Sequence, residues 1–508
     1  MHGEISERRP RFLTNWLLSM LSWGIPLCLA FVATPIIVRG IGTEQYGIYA
    51  VILGFLSYAF SSGIGKVAGK YVPEFRASGE TEKLSAAVSA AFWLTLAVGV
   101  LQAVILTVTA PYIVNDILLI PAANADIVLK ALYLAAFSGL VLMVSQVFQF
   151  SLQGLHRFDL FAVITNVGAI LSAAGNIWLV LAGYGVLPLI AWNAIVAAIT
   201  GVIFFAAVKP LLPEWGLSFI IGREIFGSVL RYSGSIIVYQ ALTSVLLLFE
   251  RSWIVRKFGA EALSFYVLPM MLAVYMHGLL ASFSQVLFPV VNELLTDREG
   301  LIRLYGRATK VVLVLTAFIL SGYVGSGQAF LGLWIGGEFA ERSYILLILI
   351  GCAFAVNIIA MIVWLLAEAF RTPGLNALSS TIWAVTAIPL MIVFARNWGI
   401  EGVAMGRLVG VLFTIPLIPY IEKRFLGRVM WQFWAATLVR LLPAAAAAIG
   451  VERLLFGRVE ASWPVLIASV LTGSATFAAV LLVAGFFSRE ELDLARSRVP
   501  FLRKQTVG

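Results

Sequence analysis

The sequence has 508 residues, of which 61% are hydrophobic and only 12% are charged, and its net charge at neutral pH is +9. Soluble domains contain roughly 45–50% apolar and about 25% charged residues, so a chain of this composition cannot keep its apolar surface away from water. These values exclude a water-soluble globular protein. Together with a mean hydropathy of +0.97, they predict an all-α polytopic membrane protein.

Apolar runs, each close to the about 20 residues needed to cross a hydrocarbon core, follow one another along the chain between polar, glycine or proline breaks. The first run is too long for a cleavable signal peptide and is expected to remain attached. We predict about 14 transmembrane helices, at residues 12–38, 43–65, 84–109, 129–150, 159–182, 187–208, 228–254, 262–288, 305–325, 343–367, 375–395, 400–421, 433–455 and 463–487.

Lysine and arginine are unevenly divided between the two sets of loops that these spans create. With a cytoplasmic N-terminus, most of the 35 Lys and Arg residues lie in cytoplasmic loops and tails. The positive-inside rule then places both termini in the cytoplasm, which requires an even number of spans. Topology therefore explains the positive net charge, and no nucleic-acid partner is expected.

A short break between the first two spans, IIVRGIGTEQYGIYAV at 36–51, returns later as WIVRKFGAEALSFYVL at 253–268. One offset of 217 residues aligns identical residues in the two breaks. Among these pairs are Val38 with Val255, Arg39 with Arg256, Gly42 with Gly259, Glu44 with Glu261, and Tyr49 with Tyr266.

Three further breaks recur in the same order and make duplication the better interpretation. Residues KYVPEFRASGETEKLSAAV correspond to FPVVNELLTDREGLIRLYGRA, QGLHRF to EAFRTP, and GYGVLPLIAWNAI to NWGIEGVAMGRLV. Because six is an even number, the two six-helix repeats enter the membrane in one orientation, related by a pseudo-two-fold along the membrane normal. We predict a six-helix bundle at 1–210, a second at 211–425, two C-terminal helices at 426–487, and a basic cytoplasmic tail at 488–508.

The tail sequence SREELDLARSRVPFLRKQ is predicted as a short basic amphipathic helix on the cytoplasmic surface, because it opens with a capping box and spaces apolar residues on one face. A partly disordered tail is the alternative. Two cysteines, Cys28 and Cys352, fall inside predicted spans and are interpreted as small packing residues. With three histidines in the chain, no zinc-type cluster is available.

Two segments of the sequence are FLTNWLLSMLSWGIPLCLAFVATPIIVRGIGTEQYGIYAV, near the N-terminus, and LLLFERSWIVRKFGAEALSFYVL, later in the chain. Together with the layout of six, six and two spans, they resemble the polysaccharide (O-antigen-type) flippases of the multidrug/oligosaccharidyl-lipid/polysaccharide exporter superfamily. The resemblance covers nearly the whole chain, and its motifs are patterns of Gly, Tyr and Arg around the first and seventh spans. It implies a flippase of the cell membrane, not an enzyme. Such proteins move a polyprenyl-diphosphate-linked oligosaccharide to the outer leaflet by alternating access, for polysaccharide biosynthesis at the cell surface.

The same resemblance implies a cavity lined by the first, second, seventh and eighth spans. It also implies the bilayer and the lipid-linked glycan as partners, with a polysaccharide polymerase and glycosyltransferases as further candidates, and no cofactor. Phosphate is bound by cations, and charges at membrane depth are costly enough to call for a reason. The cations near the expected cavity are therefore the candidate substrate contacts.

Lys66 and Lys70 close the second span four residues apart, on one helical face. They are either a landing site for a diphosphate or ordinary positive-inside anchors. Arg251 lies near the end of the seventh span beside Glu250, and the segment FERSW matches the acidic-basic pair common there in the family. Arg251 is interpreted as a substrate contact or as half of an interhelical salt bridge, and Glu250 as a candidate coupling or salt-bridge residue.

Four other residues complete the candidate substrate-binding set. Arg39 and Arg256, at the outer ends of the first and seventh spans, either cap helix dipoles or contact phosphate on the exit side. His277 in the eighth span is a hydrogen-bonded packing residue or a substrate or proton site. Asn15 in the first span either meets sugar hydroxyls or joins helices.

Two other functions compete with the flippase. A cation-coupled multidrug antiporter of the same superfamily needs a carboxylate deep in the membrane, and Glu250 and Glu368 are the candidates for it, although no acidic residue lies in the middle of any N-terminal span. A membrane polysaccharide polymerase or ligase usually needs a large external loop, whereas the longest external break, at 110–129, is short and almost uncharged. Glu368, Arg407 and Arg440, in later spans, are expected to form structural pairs.

Overall fold

The structure, a computed structural model, describes residues 24–60, 63–212, 216, 223–370, 372, 374–457 and 459–487. Its regular secondary structure over these residues is helical. Eleven of the described helices are long and apolar enough to cross a membrane. The predicted all-α polytopic membrane protein is therefore confirmed. Asn15 and the predicted tail helix lie outside the described residues.

Seven α-helices are described before the long segment that carries the second copy of the repeated sequence break. They are α1 (Gly24–Ile41), α2 (Thr43–Gly54), α3 (Lys66–Ser78), α4 (Thr81–Tyr112), α5 (Ala122–Gly154), α6 (Phe158–Leu181) and α7 (Val186–Val208). The second predicted span, 43–65, is thus not one continuous helix. It loosens into a π-helical turn at Phe55–Ala59 and restarts as α3 at Lys66.

Eight α-helices are described in the rest of the chain. They are α8 (Arg223–Glu293), α9 (Arg298–Gly325), α10 (Gly327–Trp334), α11 (Gly337–Ala369), α12 (Gly374–Leu412), α13 (Leu417–Ile421), α14 (Trp431–Phe456) and α15 (Trp463–Val483). Two of them are broken internally, α8 at Gly259 and α12 at Trp398 and Gly399. The count of fourteen spans stays a prediction, since it depends on how these broken helices cross the membrane.

The chain separates into two compact units. The first comprises residues 1–267 and 377–406, and the second comprises residues 268–376 and 407–508. These units do not follow the predicted boundaries at 210 and 425. Because the prediction was drawn from repeated sequence rather than from packing, the domain boundaries stay a prediction.

The core of the first unit lies where α3, α4, α5 and α7 pack together. Buried Val72, Val88, Leu152 and Phe204 represent these four helices in one apolar cluster. Small residues let the helices approach closely: a side-chain carbon placed on Gly201 of α7 would lie 2.4 Å from the hydroxyl oxygen of Ser145 on α5. This is the packing that stabilises helices in lipid, where no hydrophobic effect drives them together.

The second unit is organised around α9, α11 and α14. Tyr305, Val312, Ile358 and Leu366 lie in its main apolar cluster, and Leu441 belongs to a second cluster between α14 and its neighbours. Many large apolar side chains remain on the outside of the molecule, including Val108, Leu181, Val202, Val439 and Val483. A soluble monomer does not expose apolar surface on this scale, so these side chains indicate contact with lipid.

Candidate functional site

The two sequence breaks that correspond to each other adopt the same backbone conformation. Gly42, between α1 and α2, has φ 82° and ψ 163°, and Gly259, inside α8, has φ 85° and ψ 169°. A positive φ of this size favours glycine, because a side chain would be strained there. Neither glycine has an atom of a neighbouring group near its missing side chain. The glycines are therefore required by the turn of the backbone and not by crowding.

The segments that follow these two glycines, at residues 43–51 and 260–267 and here called the hinges, contact each other inside the first unit. Gly47 of α2 lies against the backbone of α8, where an added side-chain carbon would be 1.7 Å from the carbonyl oxygen of Ala260. In the opposite direction, the hydroxyl of Ser264 donates a hydrogen bond to the carbonyl of Thr43. The 217-residue offset turns 43 into 260 and 47 into 264. Each hinge thus covers the equivalent carbonyl of the other, which supports the duplication of this segment.

Two equivalent tyrosines behind the hinges are both buried but have different partners. The hydroxyl of Tyr49 accepts a hydrogen bond from the amide of Asn193 on α7, at 3.0 Å. Tyr266 instead donates to the carboxylate of Glu250, which is fully buried. Glu250 and Tyr266 lie on opposite sides of Gly259. Their hydrogen bond therefore joins the two halves of α8 across the hinge.

Arg251 is 9% exposed and faces α2. One guanidinium nitrogen donates to the carbonyl of Ala50 at 2.6 Å, and the guanidinium carbon lies 5.2 Å from the centre of the Tyr58 ring. Gly54 makes room for it, since a side-chain carbon there would lie 2.7 Å from the arginine stem. Within the described residues Arg251 forms no ion pair, and its Nε has no hydrogen-bond partner. The predicted alternative of an interhelical salt bridge is thus not observed for this residue.

Lys66 and Lys70 open onto a cavity of about 400 Å³ between α3, α5 and the turn into α6, here called the α3–α5 pocket. Both lysines are exposed, and Lys70 lies 4.7 Å over the ring of Tyr71. The cavity is lined by Lys66, Gly69, Lys70, Pro73, Phe150, Gln153, Gly154, His156 and Phe158. The prediction that the two lysines share one face holds, and that face is the wall of this pocket.

His156 was not a sequence candidate, although it completes the polar wall of the α3–α5 pocket. It adopts a left-handed backbone conformation, with φ 58°, in the short turn after α5. The next residue, Arg157, pairs with Asp159 at 2.8 Å, and this pairing raises the pKa of Arg157. Glutamines are spaced along α5, and the last of them, Gln153, lines the pocket. This row of polar residues is the sequence pattern that could have indicated a polar wall here.

The two repeated arginines lie on the surface of the first unit. Arg256 donates to the carbonyls of Asp116 and Ile117, the latter at 3.3 Å, at the π-helical end of the segment that continues α4. Arg39 is exposed near the end of α1. Arg256 therefore caps a helix end, as its first interpretation expected, but the helix is a neighbour and not its own.

His277 lies in the second unit, with a charged neighbour that the sequence did not connect to it. Its ring is 6.1 Å from the ring of Phe354 on α11, in an edge-on arrangement. The guanidinium of Arg407, which is 1% exposed, lies 5.0 Å over the same phenylalanine. One aromatic ring thus contacts the histidine and a buried cation.

Cys28 and Cys352 are both free thiols.

Two curated proteins are similar in sequence to this chain over most of their length. A curated relative in Shigella flexneri, named "Putative O-antigen transporter", is 20% identical over 423 residues, covering 81% of this chain and 98% of that protein. An uncharacterized membrane protein of Bacillus subtilis, EpsK, is 22% identical over an alignment of 522 residues, which covers 96% of this chain and 98% of that protein.

Solved structures share the fold at low identity. The lipid II flippase MurJ, in an inward closed conformation, matches with a TM-score of 0.69 at 15% identity, over 91% of this chain and 97% of that chain. An inward-facing multidrug resistance transporter of the MATE family, from the MOP superfamily, matches with a TM-score of 0.65 at 15% identity, over 80% and 99%. These likenesses show that the chain shares the fold of these two proteins.

A family model described as a polysaccharide biosynthesis protein matches residues 12–295, which is more than half of the chain. This range includes both copies of the hinge, Arg251 and the α3–α5 pocket. The chain belongs to the polysaccharide biosynthesis protein family.

Proposed function

We propose that this protein is a flippase that moves a polyprenyl-diphosphate-linked oligosaccharide from the cytoplasmic to the outer leaflet of the cell membrane, for synthesis of a cell-surface polysaccharide. The observation that carries the proposal is the α3–α5 pocket, where Lys66, Lys70 and His156 line one cavity. The family and the name of the Shigella relative support the glycan part of the substrate. The lipid II flippase of the same fold supports the lipid part.

The diphosphate is the part of such a substrate that resists entry into hydrocarbon. Cationic side chains are its natural partners, because hydrogen bonds between ionised groups are stronger than neutral ones. The described cations are placed on both sides of the interruption in the second span. Arg251 packs against Gly54 and Tyr58 before it, and Lys66 and Lys70 follow it. We infer that the interruption brings both groups of cations onto the path of the phosphates.

The membrane potential is the proposed energy source. A head group with about two negative charges gains about 2.3 kcal/mol per charge for each 100 mV when it leaves a negative cytoplasm, which is roughly 4–5 kcal/mol in total. The sequence contains no nucleotide-binding P-loop pattern. Both termini lie in the cytoplasm in this proposal, and the enzymes that build and polymerise the glycan are the expected partners.

A cation-coupled multidrug antiporter is the second candidate, favoured by the match to the MATE transporter and by the fully buried carboxylate of Glu250. The contacts of Glu250 argue against this function. Its carboxylate accepts the Tyr266 hydroxyl across the hinge, so a transported ion would have to displace an internal hydrogen bond. The described cations beside α2 and α3 would also repel a cationic drug.

Mass spectrometry of polyprenyl-linked lipids, in a strain without this gene and in its parent, tests the proposal. We expect one diphosphate-linked oligosaccharide to accumulate and its surface polymer to disappear. Complementation with Lys66→Gln/Lys70→Gln should fail at normal protein level, whereas Lys130→Gln should restore the polymer, because Lys130 is an exposed lysine paired with Asp126. Unchanged lipids together with greater sensitivity to cationic drugs would instead establish the antiporter.

A further inference from the structure

A buried carboxylate lies in the second unit, in the helices that follow the predicted repeats. Glu452, near the end of α14, is 4% exposed. One of its oxygens accepts a hydrogen bond from the hydroxyl of Ser326 at 2.7 Å. Ser326 in turn lies 3.0 Å, oxygen to oxygen, from the buried hydroxyl of Ser469 on α15. Two helices and the residue between α9 and α10 thus contribute oxygen atoms to one buried cluster.

The surrounding backbone is shaped around this carboxylate. A side-chain carbon on Gly325, the last residue of α9, would lie 2.1 Å from one carboxylate oxygen, and one on Gly473 of α15 would lie 2.0 Å from the other. Two glycines on different helices therefore leave the space that the carboxylate fills. A cavity of about 60 Å³ adjoins the cluster, with Ser462 and Ser469 in its wall. This volume is large enough to hold water.

Within the described residues, Glu452 makes no ion pair, and its neighbour Arg453 donates instead to the carbonyl of Val324, at 3.0 Å, and to the hydroxyl of Tyr344. The packed helices α10 and α15 carry no ionisable side chain. Among the described residues, the other ionisable groups near the cluster are Tyr323 on α9, whose hydroxyl donates to the carbonyl of Leu272 at 3.1 Å, and Glu460 in the loop before α15.

Buried charges in proteins are paired with an opposite charge, bind a cation, or become neutral by taking up a proton. Sodium is bound by several oxygen atoms at once, whereas the described cluster has one carboxylate and two serine hydroxyls. A proton needs only the carboxylate. We propose that Glu452 is a reversible proton-binding site, in which a proton from water entering the small cavity binds the carboxylate and later returns to water by the same route.

The position of the site explains what the proton would control. Ser326 is the single residue between α9 and α10. The hydrogen bond from Ser326 to Glu452 therefore fastens α14 to the junction of two other helices. An ionised Glu452 accepts this bond with full charge, and a protonated one accepts it more weakly and must also find an acceptor for its own hydrogen. Protonation is thus linked to the packing of the α9–α10 junction, which gives the transporter a coupling element separate from the proposed phosphate path.

Infrared difference spectroscopy of the purified protein in lipid tests this inference, because the C=O stretch of a protonated carboxyl group is separate from amide absorption. The wild-type protein should show such a band that disappears as pH is raised in potassium buffer. Glu452→Gln should lose that band while retaining the fold, since the two side chains have nearly the same shape. Glu460→Gln, in the neighbouring loop, should keep it.

A second pair of variants connects the band to the described cluster. Ser326→Ala removes the donor to the carboxylate and should move the pH midpoint of the band, whereas Ser474→Ala, an exposed serine on α15, should not. Identical spectra for wild-type protein and Glu452→Gln would overturn the proposal. Loss of the band on adding sodium at constant pH would also overturn it, in favour of a sodium site. Because the measurement needs no transport substrate, it stands or falls independently of the flippase proposal.

Discussion

Replacing Gly47 by alanine tests the contact between the two hinges most directly. The added carbon would lie 1.7 Å from the carbonyl oxygen of Ala260 and 2.5 Å from its carbon. Carbon and oxygen in a close but acceptable contact are about 3.3 Å apart or more. The hinge of α8 must therefore move by roughly 1.5 Å relative to α2, as judged from that contact distance. The obstacle is backbone, which cannot rotate away as a side chain can.

The expected cost comes from two opposing terms. Overpacking of this kind costs about 1–3 kcal/mol, and alanine in place of a helical glycine returns about 0.5–1 kcal/mol. Gly450→Ala is the matched control, because Gly450 is inside α14 and has open space around it. It should show only the favourable term. The two variants should therefore differ by about 1–3 kcal/mol in stability, as the overpacking term predicts.

Thermal unfolding of both proteins in one detergent provides the assay. Gly47→Ala should melt below the wild type and Gly450→Ala at or above it. Ser264→Ala, at the equivalent position of the other hinge, loses only the hydrogen bond to Thr43, worth about 0.5–1.5 kcal/mol. A Gly47→Ala protein as stable as Gly450→Ala would refute the contact between the hinges, and with it the reciprocal arrangement inferred here.

Three further predictions follow from other contacts. Lys66→Gln/Arg251→Gln should abolish transport in the complementation assay while the protein remains inserted and folded, because both groups of cations are removed; transport at the wild-type rate would contradict the cationic path. Glu422→Gln should lower the melting temperature. This buried carboxylate accepts hydrogen bonds from Tyr305 and Trp434, each at 2.7 Å, and from the backbone N–H of Met430 at 2.9 Å, and a hydrogen bond to a charged group is worth about 1.5–3 kcal/mol. An unchanged melting temperature would show that these hydrogen bonds contribute nothing to stability. A fluorescent reporter fused to the C-terminus should be active, and a phosphatase reporter fused there should be inactive, because the C-terminus is expected in the cytoplasm. The reverse pattern would place the C-terminus on the outer side of the membrane.

Hydropathy alone was sufficient for the class of the protein, because the lipid solvent imposes one rule on every residue of a span. The duplicated hinge could also be predicted from the sequence, through Gly42 and Gly259, because a backbone position with a positive φ favours glycine. The family followed from the same segments. Lys66 and Lys70 could be placed on one face by spacing, because helical periodicity is local.

Contacts between distant segments could be decided only by the tertiary structure. Nothing in the spacing of Gly47 and Ala260 shows that their backbones touch, and nothing in a lone histidine such as His156 shows that it completes a pocket with two lysines. Arg407 and Glu452 are further cases, since a charge inside a span has the same sequence signature whether it faces an aromatic ring, a serine pair or a cation. A side chain's role depends on the groups that surround it in space. Sequence spacing specifies those neighbours only within a helical turn or two, and packing between helices determines all the others.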